Sequence, residues 1–297
     1  MTKGQVELSI DNVKFHLLQY DDFQWIHKYG QVFCVFDQQE SGNLSFGIRQ
    51  GQKKLFLKFA GAKTVRYEGS VSDAIESLEQ SVVLYQDLAH PSLIKLLDSF
   101  TCASGFGLLF EWVEGESLHP HWLFSKVNKY SHSQSSYYRF RQLPMLKKLQ
   151  AIEQIFDFHV LVEDKGYVSV DFYDGSILYD FTRDILKICD IDFFRKRPLV
   201  NEIGDPFWGS HRFKSPEESL KGAILDERTL VFNMGAFAFC LLGGELDRGI
   251  EHWMGDESLY KVALRAVNPD RHTRYPSAKA FKMAWDKAVN ELKVLHN

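Results

Sequence analysis

Val170-Asp171-Phe172-Tyr173-Asp174-Gly175-Ser176-Ile177-Leu178, followed shortly by Ile188-Cys189-Asp190-Ile191-Asp192, is the stretch on which the reading of this chain turns. Between the two segments the pattern is that of a β-hairpin. One apolar run covers Gly175 to Tyr179, a polar turn falls at Thr182-Arg183-Asp184, and a second run covers Ile185 to Cys189. Asp171 and Asp190 therefore flank one hairpin. Carboxylates so placed can converge on one point, which is what a positioned general base beside a divalent cation requires. Aspartate is also a favoured turn residue, so the pair takes its meaning from what surrounds it.

Upstream, from Met145, a helical stripe carries Leu146, Leu149, Ile152, Ile155, Phe156 and His159. Downstream lies an irregular segment, Phe193 to Lys214, then helices over Asp226 to Leu242, Tyr260 to Ala266 and Ser277 to Leu292. Residues 119–144 lack clear periodicity and read as an inserted surface loop, with Trp122, Tyr137 and Tyr138 covering part of the helical region. The first third is strand-like, with runs at Trp25 to Phe36, Leu44 to Ile48, Lys54 to Phe59, Leu93 to Leu97 and Gly107 to Trp112. A helix from Ser72 to Leu88, capped by Ser72, interrupts them; its apolar face is Ile75, Leu78, Val82, Tyr85 and Leu88. The fold class is α+β: a five-stranded antiparallel region with one helix over residues 1–112, then a mostly helical region over 113–297.

The chain has 297 residues, 45% hydrophobic and 25% charged, with 24 Phe, 12 Tyr and 6 Trp, enough bulky apolar surface for two cores. A formal charge of -4 gives no basic patch for a polyanion, so no nucleic-acid partner is expected. Cys34, Cys102, Cys189 and Cys240 lie far apart among apolar neighbours and read as buried thiols of a reducing compartment. The first residues lack the apolar core of a signal peptide, and no stretch approaches the ~20 apolar residues that span a bilayer. A cytoplasmic protein with no membrane partner is expected.

The order of elements resembles the protein-kinase family, in a divergent serine/threonine form of bacterial type, and the motifs fall in that family's sequence. Leu55-Phe56-Leu57-Lys58 resembles the strand whose lysine grips the nucleotide's α- and β-phosphates. His90-Pro91-Ser92-Leu93-Ile94 is similar to the loop after the helix of the small lobe. Leu108 to Gly115 is similar to the hinge, where the backbone at Glu111 and Val113 pairs with adenine. Asp171 stands at the catalytic-loop aspartate, accepting the proton of the acceptor hydroxyl, and Ser176 at the metal-binding asparagine. Asp190 takes the place of the metal-chelating aspartate, with Asp192 as a helper. Ser215-Pro216-Glu217 and Arg274 match a motif pair joined by a buried ion pair in that family.

The resemblance implies one bilobal protein-kinase-like domain over 1–297. It would hold ATP and Mg2+ between its lobes and pass the γ-phosphate in line to a hydroxyl of a protein substrate. Gly42 and Leu44 are then among the residues that bind ATP, and Glu76 or Glu79 meets Lys58.

The pattern also breaks in places. In Asp37-Gln38-Gln39-Glu40-Ser41-Gly42-Asn43-Leu44 only the last glycine of the phosphate loop remains, and Asp37 and Glu40 would repel phosphate. The loop lysine is replaced by Tyr173, and the aspartate of the central helix by Leu230. The histidine and arginine before the catalytic aspartate are replaced by Ser169 and Val170. Strict register from His90 puts Ser81, not a glutamate, opposite Lys58. Two alternatives follow: a catalytically weak pseudokinase serving as a nucleotide-binding scaffold, and a kinase for a small-molecule acceptor of the aminoglycoside or choline type, suggested by Asp192.

Overall fold

Large apolar residues alternate with polar or small ones between Asn43 and Ala60, and a two-residue turn at Gly51-Gln52, with Gly51 at φ +63°, folds that stretch into an antiparallel pair. In the computed structural model, which describes residues 4–102, 104–120, 124 and 126–295, this pair is the centre of a sheet. The chain divides into two compact units: residues up to Ala89 together with Ile94–Val113, and His90–Leu93 together with Glu114 onward.

In the first unit, β1 (Val6–Ile10) and β2 (Val13–Leu17) form a hairpin turned by Asp11 and Asn12, both at positive φ. The five-stranded antiparallel sheet comprises β3 (Gln31–Phe36), β4 (Asn43–Gln50), β5 (Lys53–Ala60), β6 (Leu96–Cys102) and β7 (Gly105–Glu111), in the order β3-β4-β5-β7-β6. One face carries Leu44, Phe46, Ile48, Leu55, Leu57, Phe59 and Leu109. It forms a core with Leu8, Ile10, Phe15 and Leu17 of the hairpin and with Phe23 and Ile26 around a short 3-10 turn. Side chains alternate across a strand, so Ser45, Phe56, Lys58, Leu108 and Phe110 stand on the other face. There α1 (Val71–Asp87) packs, with Tyr85 edge-on to Phe110 at 4.8 Å.

Several boundaries differ from the sequence reading. The cap of α1 is Ser70, not Ser72: Ser70 accepts the Asp73 N–H, and the Asp73 carboxylate accepts the Ser70 N–H, a reciprocal box that Ser72 lacks the acid to form. The strand expected at Leu93 starts only at Leu96, because the backbone before it is used elsewhere: the Ser92 carbonyl accepts the Ile188 N–H in the second unit. The run expected from Trp25 is a 3-10 turn over Gln24–Lys28 before β3 begins.

The second unit contains β8 (Glu116–Ser117), α2 (Lys126–Ser131), α3 (Ser136–Arg141), α4 (Met145–Asp164), β9 (Tyr167–Val168), β10 (Ile177–Asp180) and β11 (Ile185–Ile188). After these come β12 (Arg195–Lys196), β13 (Leu199–Val200), β14 (Ile224–Leu225), α5 (Glu227–Leu242), α6 (Glu257–Ala266) and α7 (Ala278–Leu295). Every residue of α5 from Thr229 onward is buried, so α5 is the axis around which the unit packs. Gly235 lets α6 approach it: a Cβ there would lie 2.7 Å from that of Ala266.

Residues 119–144 are not one loop, since α2 and α3 form within them. Tyr137 is buried, and its hydroxyl donates to the Cys240 carbonyl at 2.6 Å, so it covers α5 as expected; Trp122 lies outside the described residues. The four cysteines are free thiols, but only Cys240 is buried; the others are partly exposed. Among the described residues no helix is long and apolar enough to cross a membrane.

The ion pair expected between Glu217 and Arg274 forms. It is bidentate, at 2.7 and 3.0 Å, between residues 5% and 1% exposed.

Candidate functional site

In the second unit, register pairs Ile177 with Ile188, and the Cys189 N–H donates to the Ser176 carbonyl at 2.8 Å, closing the hairpin at its open end. Ser176 immediately precedes this closure and Asp190 immediately follows it. Asp171 and Asp190 both hold φ +57°, in the left-handed region. That conformation costs a side-chain-bearing residue ~1–2 kcal/mol, least for Asp and Asn. Backbone held in such regions concentrates at functional sites.

Tyr173 lies within the electrostatic reach of both aspartates. Its ring lies over Gly175, where a Cβ would come within 2.3 Å of it, and meets His119 edge-on at 5.6 Å. Burial pushes the phenol pKa well up, and the charges of Asp190, Asp171 and Asp174 add to the shift. The hydroxyl is thus a neutral donor within the field of three carboxylates, at the place where the resemblance expects a lysine.

A divalent cation fits this donor set in kind. Asp190 is exposed, and Asp192, two residues on, is buried. The enclosed Ser176 hydroxyl has no hydrogen-bond partner among the described residues, so one oxygen remains for a ligand. All are hard oxygen donors, which suit magnesium with its retained waters rather than zinc. Asp174 is excluded as a ligand, because both its oxygens are taken by Arg212 and Lys129 at 2.5–3.1 Å.

No protein-family model matches the chain, and no curated protein matches it. The assignment of function therefore rests on residues.

In the first unit, Lys58 is buried on β5, opposite Ser45 of β4 and Leu108 of β7, on the sheet face that carries α1. The inward face of α1 is Ala74, Leu78, Ser81, Leu84 and Tyr85, with no carboxylate. Glu76 and Glu79 are both exposed, and Glu76 accepts from the Gln80 amide at 3.0 Å; the inward position is that of Ser81.

Leu44 requires a correction. It is fully buried in the core on the face opposite Lys58, so it cannot line a nucleotide site that Lys58 serves; Ser45 is the residue on that side. Gly42 holds φ +78° with Tyr67 and Ala74 where its Cβ would be, so packing against α1 already demands glycine there. Asp37 is turned away from any phosphate role as well: its carboxylate accepts the His16 N–H at 2.8 Å and the Gln38 amide at 2.9 Å. At the end of β7 the Glu111 N–H donates to the Lys95 carbonyl, and Val113 is the last residue of the unit. Beside them Trp112 packs on Phe33 at 4.9 Å and on Phe56 at 6.5 Å. This aromatic platform, suited to stacking a purine, escaped the sequence reading, although Phe56 and Lys58 share a face by their spacing alone.

Asn233 was missed too. It is the lone amide in the apolar run of α5, and it accepts from Ser169 at 3.0 Å while donating to the Phe213 carbonyl at 2.8 Å. It thereby joins the loop before Asp171 to the end of the irregular segment, a task Leu230 cannot perform. A buried amide must be hydrogen-bonded, which is the signal that could have found it.

Two buried groups give a pH prediction. Burial pushes the Glu218 carboxyl up from 4.5 to about 7, and burial holds the His159 imidazole down from 6.5 to about 4. The stability contributed by neutral Glu218 is complete below pH 4.5 and lost as pH rises through about 7. That of neutral His159 is complete above pH 6.5 and lost as pH falls towards 4. The two slopes oppose each other. Glu218→Gln, which keeps the neutral shape, is expected to lie within ~1 kcal/mol of the parent at pH 5 and to be more stable by ~3 kcal/mol at pH 8. Urea unfolding at the two pH values measures this, and equal stability of parent and variant at pH 8 would refute it.

Proposed function

We propose that the chain is an ATP-dependent phosphotransferase of the serine/threonine protein-kinase type, its two units being the small and large lobes of a protein-kinase-like fold. The observation that carries this reading is the pair Asp171 and Asp190, which bracket one hairpin and share the left-handed backbone. In this reading Asp171 accepts the proton of the acceptor hydroxyl and orients its oxygen for in-line attack. Asp190, with Ser176 and Asp192, holds magnesium, which neutralises phosphate charge when bound. Lys58 grips the α- and β-phosphates of ATP as a point charge, and Phe56 and Trp112 offer the adenine an apolar face. Tyr173 donates a hydrogen bond towards the phosphates without adding positive charge. The acceptor is a protein hydroxyl; the second acid, Asp192, keeps a small alcohol in view.

The test is transfer of labelled γ-phosphate from MgATP to the protein itself or to a generic protein acceptor. Transfer above background is expected. A parent that binds MgATP but transfers nothing to proteins or to a panel of alcohols contradicts the reading. It would instead favour a nucleotide-binding scaffold, the second reading, for which the specific observation is Gly42: the last glycine of its loop is committed to packing on Tyr67 and Ala74.

A further inference from the structure

Four charges from four separate stretches of the second unit meet in its interior. Asp174 comes from the turn between Asp171 and Ser176, Lys129 from α2, Arg212 from the irregular segment, and Glu245 from just beyond α5. Lys129 Nζ lies 2.5 Å from Asp174 Oδ2 and 3.7 Å from Glu245. Arg212 reaches Asp174 Oδ1 at 2.6 Å and Glu245 Oε1 at 2.7 Å. Asp174 is wholly buried and Lys129 nearly so. Two cations face two carboxylates, so the cluster is neutral as a set and badly unbalanced if any member is lost. Asp174, Cys240 and Glu245 have ligand atoms close enough to suggest a metal site, but the two cations already satisfy the two carboxylates.

The insertion reaches this point on its own footing. Tyr137 is anchored on the Cys240 carbonyl, its ring lies 4.2 Å from Lys129 Nζ, and the Lys129 carbonyl accepts from Ser135 at 2.6 Å. Tyr130 donates to Glu245 at 2.9 Å. Residues 126–137 are therefore fixed against α5 and present Lys129 to Asp174. The segment Phe193 to Lys214 reaches the same carboxylate through its own Arg212, and its lone hydroxyl is Ser210.

We propose that residues 126–137 form an internal lock with Arg212: Lys129 and Arg212 are positioning residues that close on Asp174. They fix the strained loop bearing Asp171 and Tyr173 and order the segment 193–214 with no added phosphate. What the lock means for phosphate transfer rests on the proposed function; the lock itself does not.

Hydrogen exchange on the full chain without nucleotide tests it. In Lys129→Met and in Asp174→Asn, amides of residues 171–176 and 205–214 are expected to exchange at least about tenfold faster than in the parent, with α4 and α7 unchanged. Lys129→Arg, which keeps the charge, restores parental rates. A change confined to residues 126–141 in Lys129→Met, or parental rates at 205–214 in Asp174→Asn, overturns the proposal. Should Lys129→Met fail to fold, Asp174→Asn, which preserves size and shape, decides alone. A parent that never binds MgATP would remove the proposed function, and the lock would then stand or fall on the exchange rates alone. If the parent is active, Lys129→Met lowers phosphate transfer and Lys129→Arg restores it, because the loop that Lys129 holds carries Asp171, Tyr173 and Ser176.

Discussion

Asp171→Asn is expected to lose phosphate transfer by ~10²–10⁴-fold while binding MgATP as the parent does. The size follows from the proposed role, in which one positioned carboxylate orients the acceptor and takes its proton without gripping the nucleotide. The choice of asparagine follows from the backbone. Asp171 sits at φ +57°, a region that Asn tolerates as well as Asp and that other side chains resist. Asp171→Ala would add ~1–2 kcal/mol of backbone strain to the chemical loss, and the two effects could not be separated. Labelled-ATP transfer and a nucleotide-binding isotherm on the same preparation measure the two quantities. Unchanged transfer, or loss of binding in step with transfer, would contradict the role assigned to Asp171.

Arg274→Met is expected to destabilise the second unit by ~3–5 kcal/mol. All five donors of the guanidinium are used: Glu217 takes two, and the carbonyls of Asn268, Arg228 and Pro269 take the rest at 2.7–3.3 Å. Removal leaves the Glu217 carboxylate buried, with Thr229 at 3.0 Å as its remaining side-chain donor. Arg274 also holds the Glu217 carboxyl below its usual range against the opposing effect of burial. Replacing both charges, as in Glu217→Leu with Arg274→Met, recovers part of the loss, because a neutral pair of similar volume strands no charge. Urea unfolding of parent, singles and double gives the comparison; a single variant within ~1 kcal/mol of the parent would show that the pair contributes little.

How much of this was legible depended on whether the deciding signal was local. The helix α4 and the pair β4 and β5 follow from periodicity, α5 from a long apolar run, and the hairpin between Asp171 and Asp190 from a polar turn between two apolar runs. The Glu217 to Arg274 pair follows from motif order over a long separation. Leu44 went astray because its face is set by strand register, which is not local to the loop that precedes it. The two-residue turn at Gly51-Gln52 makes Ser45, not Leu44, the neighbour of Lys58. The β1 and β2 hairpin was overlooked although Val6 to Leu17 alternates around Asp11-Asn12, a turn pair with no glycine to announce it. The cluster on Asp174 had no local signal: Lys129, Arg212 and Glu245 are ordinary surface residues until tertiary packing buries them together.

The most direct test is binding of MgATP by calorimetry to the parent, to Lys58→Met and to Asp190→Asn. Saturable binding by the parent, weakened at least about tenfold in each variant, is the expected result. A parent that binds no MgATP, or variants that bind it as tightly as the parent, would contradict the claim that Lys58 and Asp190 hold one nucleotide.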